Sequence, residues 1–257
     1  RRLRTELGNL RGAISWSLKP GNEDGEPAEL RLRLAAALWR FWEVEGLEEG
    51  KQWLEATLKR DPGGFPVVRA KALAGLGFIL IYQKDYGRAI IVLEEVIALY
   101  KGLGDESGAA FALGNLGHAV LHGGYCERVP AFVEEAEALM QGDLDGHTRA
   151  FLRMTVAGAA MEQGDLESAV AQLEENLILC RELDDLRNTS MSLFVLGMAE
   201  LKRDDLDRGA ALLEEGARIM RELGDRLAGV YYVWALGKVA ALTAVSKNLG
   251  PHEIMQT

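Results

Sequence analysis

Cysteine and proline are scarce in this 257-residue chain, which contains two cysteines and six prolines. Cys126 and Cys180 are too few for a disulfide framework, so we expect a reduced, cytoplasmic setting. The few prolines exclude a proline-rich linker, and 48% hydrophobic residues are too many for a chain that is a disordered tail as a whole. The most apolar stretch, residues 72–82, is about half of the ~20 residues that cross a bilayer, so we expect no membrane partner.

The chain also lacks an initiator methionine and a signal peptide, since it opens with Arg1-Arg2-Leu3-Arg4 and is charged again at Glu6. We therefore expect a fragment of a longer protein. Asp and Glu outnumber Lys and Arg by 39 to 29, which gives a net charge of −10. Because an acidic surface repels phosphate, we expect no nucleic-acid partner for this fragment.

Several sequence features recur at a spacing of 40 residues, which is the mark of a repeat protein. One feature is an aspartate, found as Asp105, Asp145, Asp185 and Asp225. A second is an apolar residue followed by two glutamates, at 93–95, 133–135, 173–175 and 213–215. A third is a Leu-Gly pair or its equivalent, at 76–77, 116–117, 156–157, 196–197 and 236–237.

Each repeat is predicted to consist of two helices. Leu73, Leu76 and Leu80 fall on one stripe of period 3.6, and a second stripe follows the short break at Lys84-Asp85. Aspartate after each break is a good N-cap for the helix that follows it. No run alternates with a period of two for long enough to form a strand, so the sequence predicts an all-α fold.

This pattern resembles the tetratricopeptide repeat (TPR), in which a bulky residue, Leu-Gly, a larger apolar residue and a small residue recur, as at Leu73, Leu76-Gly77, Leu80 and Ala89. The 40-residue spacing is similar to the sensor region of large bacterial signalling ATPases, the MalT-like STAND proteins with a LuxR-type transcription-regulator architecture. The segments 6–16 and 34–54 also look like the start of their repeat region. The resemblance implies a right-handed superhelix, or α-solenoid, of stacked antiparallel hairpins with roughly twelve helices, and an ATPase domain upstream in the parent chain.

The resemblance and the breaks together predict the organisation of the chain. Residues 1–25 form a leading helix and linker, residues 26–245 form the array, and residues 246–257 form a disordered tail. The predicted helix pairs cover residues 27–60, 66–103, 106–141, 146–183 and 186–223, followed by a single helix at 226–243.

Motifs for catalysis are hard to find in the sequence. No phosphate-binding GxxxxGK[ST] loop is present. His118, His122 and Cys126 are the one cluster of metal-ligand types, but a zinc site needs three or four ligands and His147 is a hairpin away. We therefore expect no metal, no cofactor and no catalytic residue. The repeated Glu-Glu pairs are interpreted as solvated or paired with Lys and Arg outside the core.

The resemblance implies that the first helix of each pair lines a concave groove. Counting from Leu76-Gly77, the groove positions are rich in aromatic residues and methionine. This predicted groove set comprises Trp39, Trp42, Phe78, Phe111, His118, Phe151, Met154, Met191, Phe194, Met198, Tyr231 and Trp234. The alternative is that a tight superhelix buries these side chains as ordinary core.

Three functions are compatible with the sequence. The preferred hypothesis is a non-catalytic interaction or sensor module that binds a partner peptide, protein or small-molecule effector in the groove and acts in signal transduction or transcription regulation. The second is a passive docking scaffold without a switching role. The third is a metal or enzymatic site at His118, His122 and Cys126.

Overall fold

The structure is a computed structural model that describes residues 5–19, 26–60 and 64–246. Within these ranges the chain contains twelve α-helices and no strand. The helices are α1 (Leu7–Ser17), α2 (Glu26–Glu45), α3 (Leu47–Arg60), α4 (Pro66–Tyr82), α5 (Tyr86–Gly102), α6 (Glu106–Gly123), α7 (Val129–Met140), α8 (Gly146–Gln163), α9 (Leu166–Glu182), α10 (Leu186–Lys202), α11 (Leu206–Leu223) and α12 (Arg226–Ser246).

The predicted tail lies almost wholly outside the described residues, as does most of the predicted linker after α1. Pro130 is the second residue of α7, which follows a short 3-10 turn at Cys126–Arg128. Proline is tolerated there because the first turn of a helix has no intrahelical acceptor for its missing N–H.

After α1, the helices alternate between a first helix and a second helix, which we call A-helices and B-helices. The A-helices are α2, α4, α6, α8, α10 and α12, and the B-helices are α3, α5, α7, α9 and α11. The chain divides into two compact units, residues 1–135 and residues 136–257. Within each unit, consecutive helices other than α7 pack together, and each A-helix also contacts the next A-helix. The fold is therefore the predicted all-helical α-solenoid of helix hairpins.

The repeated aspartates begin the helices, as the sequence predicts. The side chains of Asp105, Asp145, Asp185 and Asp225 each accept a hydrogen bond from the backbone N–H three residues later, over 2.8–3.0 Å. Asp85, Asp165 and Asp205 cap three further helices in the same way. The residue before six of these seven aspartates has a left-handed backbone: Lys84, Gly104, Gly164, Asp184, Asp204 and Gly224. Each such residue ends one helix directly before the aspartate that caps the next.

The hydrophobic core of the second unit forms two successive layers. One layer is centred on Leu173, Leu193 and Leu196, and the next on Leu213 and Tyr232. In the second layer the Tyr232 hydroxyl is buried and bonds both the backbone carbonyl and the side chain of Ser190. Each layer joins neighbouring hairpins, so that stability comes from neighbour contacts along the array.

Helix α12 differs from the other described helices in its apolar surface. Residues Ala228–Val245 are long and apolar enough to cross a membrane by length and composition alone, and no other described helix passes that test. The expectation that no stretch approaches this length was wrong here, because Lys238 divides the run and hides it from a search for uncharged segments. Only 22% of this stretch is buried in the fold.

Candidate functional site

In the first unit, three aromatic rings on A-helices form a continuous row. The rings of Trp39 on α2 and Phe78 on α4 have centroids 4.8 Å apart, and Phe78 lies 4.7 Å from Tyr82, one turn further along α4. All three side chains are half-buried. Tyr82 is absent from the predicted groove set, although its position four residues after Phe78 places it on the same face of the helix.

A glycine allows this aromatic row to form. A Cβ atom added at Gly75 would lie only 2.7 Å from the Cβ and Cγ atoms of Trp39, so any larger residue would push α2 and α4 apart. The Arg40 guanidinium lies 4.4 Å from the centre of the Trp39 ring, within cation–π range. The row thus combines flat apolar rings with a cation at one end.

Trp42 does not belong to this accessible surface. Its side chain is 1% exposed and packs in a cluster with Ile14 and Leu38. The groove prediction for Trp42 is therefore corrected: the same helical stripe that carries Trp39 turns inward by position 42 and meets α1. Phe111, further along the unit on α6, is half-buried.

The two histidines predicted as groove or metal residues stack against each other on α6. The rings of His118 and His122 are 4.3 Å apart. Burial, and secondarily the His122 ring, lowers the pKa of His118 to about 3, so His118 is neutral near pH 7. Cys126 is exposed, and no group of three or more His, Cys, Asp or Glu side chains within the described ranges is placed to hold a metal ion.

In the second unit, two residues of the predicted groove set belong to the core. Met154 and Met198 are 6% and 9% exposed and lie inside the two core layers. Periodicity placed them on the right helices, but it does not distinguish a buried position from one at the edge of the core. These two groove predictions are corrected for that reason.

The remaining residues of the set in this unit lie at the edge of the core and are accessible. Phe151 and Met191 pack against the first core layer, and Phe194 packs against the second, where its ring meets Tyr231 and Tyr232 edge-on. Met161, which the family pattern also places at a groove position, contacts both layers.

Exposure of this surface rises on α12. Tyr231 is 44% exposed and Trp234 is 57% exposed. The Lys238 ammonium lies 5.9 Å from the Trp234 ring centre. The A-helices of this unit therefore present aromatic and methionine side chains, with a cation beside the most exposed ring.

The first unit also contains a small cavity of about 330 Å³ between the B-helices α5 and α7 and the A-helix α6. Ile97, Leu116, Val120 and Phe132 supply its apolar wall. Two ion pairs line it: Lys101–Glu135, at 2.6 Å, joins α5 to α7, and Arg128–Glu94 joins α5 to the 3-10 turn before α7. None of the residues that line this cavity belongs to the aromatic row, so the two sites are separate.

These two ion pairs belong to a series of ion pairs between successive B-helices, which we call the ion-pair ladder. The sequence predicted only that the repeated glutamates are solvated or paired with Lys and Arg. A glutamate of one B-helix pairs with a basic residue 33 or 34 positions later, on the next B-helix or in the turn before it, as in Glu55–Arg88, Glu94–Arg128 and Glu174–Arg208. A second set runs in the opposite sense, as Lys101–Glu135 and Arg181–Glu215. The recurring acid–base spacing of 34 was present in the sequence and would have predicted these pairs.

Comparison with known proteins gives fold information only. No family model matches the chain, and no curated protein matches it. Among solved structures, a Rap protein complexed with competence and sporulation factor matches with a TM-score of 0.66 at 14% identity, over 96% of this chain and 73% of that one.

Two further structures agree. A thermophilic TPR protein from Thermus thermophilus matches with a TM-score of 0.55 at 19% identity, over 81% of this chain and 98% of its own. BtubC from P. vanneervenii matches with a TM-score of 0.61 at 14% identity, covering 88% and 93%. The helix hairpins, their aspartate caps and these likenesses together show that the chain is a TPR-like repeat array.

Proposed function

We propose that this chain is a non-catalytic interaction or ligand-sensing module, which binds a partner peptide or an effector along the face formed by its A-helices. The observation that carries the proposal is the accessible apolar surface on those helices. In the first unit it is the row Trp39, Phe78 and Tyr82, and in the second it is Phe194 and its neighbours up to Trp234.

Such a surface favours binding for two physical reasons. Aromatic rings and methionine side chains lose little conformational freedom on contact and bury a large apolar area, so they stabilise complexes efficiently. Methionine is also flexible and polarizable, which allows one surface to fit different ligands. The side chains shared by the A-helix faces are apolar rather than nucleophilic or acid–base groups, which supports a binding role over a catalytic one.

The fold likeness supports the same proposal. The Rap protein with a similar fold was solved as a complex with competence and sporulation factor, so an array of this architecture accommodates a ligand. For the present chain, the A-helix faces with their exposed rings are the surface to which we assign the equivalent role.

We further propose that the module belongs to a larger cytoplasmic signalling ATPase or transcription regulator. The 40-residue spacing and the segments 6–16 and 34–54 support this assignment through their resemblance to that class. In such a protein, an effector that prefers one arrangement of the stacked hairpins would shift the population of states and alter contacts with an upstream ATPase domain.

The binding surface is tested with peptides selected from a phage-displayed random library against the full 257-residue chain. The dissociation constants of the selected peptides are then measured for Phe194→Ala and Trp234→Ala. Ile178→Ala is the matched control, since Ile178 is 60% exposed but lies on the B-helix α9. We expect the two A-helix changes to weaken binding at least about ten-fold and the control to leave it unchanged. Equal effects of all three changes would refute the assignment.

The sensor role is separated from a passive docking scaffold by a thermal-shift screen of small molecules. A ligand at about 100 times its dissociation constant stabilises the folded state by about 2.7 kcal/mol, which gives a measurable rise in melting temperature. A sensor is stabilised by at least one small molecule, and this shift is reduced by Phe194→Ala. A chain that responds only to peptides would be a docking scaffold.

A further inference from the structure

Helix α12 is an A-helix that has no B-helix partner within the described ranges, and its outer face is open. We define the terminal face as Val230, Val233, Gly237 and Ala241 of α12. Val230 and Val233 are 66% and 73% exposed. None of these four residues belongs to the aromatic surface of the A-helices, to which α12 contributes Tyr231 and Trp234.

The residues of α10 that lie 40 positions before the terminal face, and so hold the equivalent positions in the preceding hairpin, are buried. Ser190 and Leu193, 40 residues before Val230 and Val233, are both 0% exposed. In α10 this register is covered by the B-helix α11, where the Ser190 hydroxyl donates a hydrogen bond to the carbonyl of Gly216. The terminal face therefore has the position of one half of a helix–helix interface.

Gly237 on the terminal face corresponds to glycines that pack against a helix in earlier hairpins. A Cβ atom added at Gly77 or Gly197 would lie 2.8 Å from a leucine of the following B-helix, Leu93 or Leu213 respectively. At Gly237, in the same register, an added Cβ atom would meet nothing within 4 Å. The hole that receives a leucine knob in those two hairpins is thus open on α12.

Two charged residues of α11 indicate the same docking position beside α12. Glu214 and Arg221 on α11 are exposed, and neither makes an ion pair or a side-chain hydrogen bond within the described part of the chain. Their counterparts on α9, Glu174 and Arg181, pair with Arg208 and Glu215 of the next B-helix. Over the described residues, the ion-pair ladder therefore stops with one free acid and one free base.

We propose that the terminal face docks an amphipathic helix that copies the B-helix pattern: a basic residue, a small residue next to it, leucine four positions later, and an acidic residue two after that. In α11 these residues are Arg208, Gly209, Leu213 and Glu215, and α5 carries Arg88, Ala89, Leu93 and Glu95. The leucine fills the hole at Gly237, the basic residue pairs with Glu214, and the acid pairs with Arg221.

The test uses the full chain and a fluorescein-labelled peptide with the sequence of residues 206–223, followed by anisotropy. We expect the peptide to bind and a scrambled peptide of equal composition not to bind. Gly237→Leu fills the hole and is expected to weaken binding at least about ten-fold. Its matched control is Gly8→Leu on α1, where an added Cβ atom also meets nothing within 4 Å, and binding should be unchanged.

A charge exchange checks the register of the docked helix. Arg221→Glu should weaken binding about two- to five-fold, as expected for an exposed ion pair. A peptide carrying Glu215→Lys should restore binding to the Arg221→Glu chain. Failure of the restoration, or equal binding to Gly237→Leu, would overturn the proposal.

The same variants also test two other possible partners of the terminal face, a second copy of the chain and a lipid membrane. If the chain alone forms a dimer that Gly237→Leu disrupts, and the peptide does not bind, the face is a self-association surface and the proposal is wrong. If the chain binds phosphatidylcholine–phosphatidylglycerol vesicles through α12 and not the peptide, the proposal is also wrong. This proposal rests on the α12 surface alone and its test changes Gly237 and Arg221, whereas the test of the proposed function changes Phe194 and Trp234, so failure of one is distinguishable from failure of the other.

Discussion

Adding one methyl group at two glycines of the same register should have opposite effects on stability. Gly197 and Gly237 both lie inside A-helices, on α10 and α12, at positions 40 residues apart. Replacing a helical glycine by alanine stabilises a helix by about 1 kcal/mol because alanine loses less backbone entropy. This gain applies at both sites.

The surroundings of the two glycines decide the net result. At Gly197 the new methyl group would lie 2.8 Å from Leu213 Cγ and 3.2 Å from the backbone oxygen of Gly209. Because the nearby backbone oxygen leaves little room to relax, we expect an overpacking cost of about 1–3 kcal/mol. At Gly237 the same group meets nothing within 4 Å. Gly237→Ala should therefore stabilise the chain by about 1 kcal/mol, and Gly197→Ala should destabilise it by up to about 2 kcal/mol.

The measurement is urea unfolding followed by far-ultraviolet circular dichroism. Midpoints are compared, since repeat arrays often depart from two-state unfolding. Gly77→Ala is a second check, because its added Cβ atom would lie 2.8 Å from Leu93 Cδ2 and it should behave like Gly197→Ala. If Gly197→Ala and Gly237→Ala shift the midpoint in the same direction by the same amount, the α10 and α12 faces do not differ as described.

Three other predictions follow from the fold and are checked by chemical or thermal unfolding. Asp204→Gly should stabilise the chain by about 1 kcal/mol, and Gly164→Ala should destabilise it by about as much, because both residues have a left-handed backbone. If the two substitutions changed stability in the same direction, these turn conformations would be contradicted. Trp42→Ala should cost about 3–5 kcal/mol, whereas Trp234→Ala should cost less than about 1 kcal/mol, and a reversal would contradict their assigned burial. The lowered pKa of His118 means that the unfolded chain takes up a proton near pH 6.5 and the folded chain does not, so stability should fall as pH drops below about 6.5, by up to about 1.4 kcal/mol per pH unit. His118→Phe should remove this part of the slope between about pH 7.5 and about pH 5, and an unchanged slope would refute the burial of His118.

Sequence periodicity predicted the fold because each repeat obeys the same local physics. The aspartate before each helix competes well for the free N–H groups of the first turn, and Asp105 and Asp225 do so here. The leucine stripes of the A-helices have no other way to leave water than to pack against a neighbouring hairpin, as Leu193 does. Local signals and packing thus agree along the array.

The sequence predicted the proposed binding surface less well than the fold. Its residues and the core residues beside it are the same apolar types and differ only in how deeply they are buried. Phe194 and Met198 are both apolar and four positions apart, yet Phe194 stays at the edge of the core while Met198 is buried in it. Tyr82 was missed because it lies one residue beyond the last groove position of the family pattern, although its helical spacing from Phe78 points to the same face. The difference in depth between Phe194 and Met198 is not encoded in a period of 3.6 residues, because it depends on where the next hairpin lies.

The central claim is that ligands bind the A-helix face, and it is tested most directly by methyl NMR of the chain with isotope-labelled methyl groups on its seven methionines. A peptide from the library selection is titrated into the sample, with signals assigned by single Met→Leu substitutions. Our account predicts that the signals of Met161 and Met191, at the edge of the A-helix surface, shift with bound peptide. Those of Met140 and Met220, on the B-helices α7 and α11, should stay in place. Shifts confined to Met140 and Met220 would contradict it.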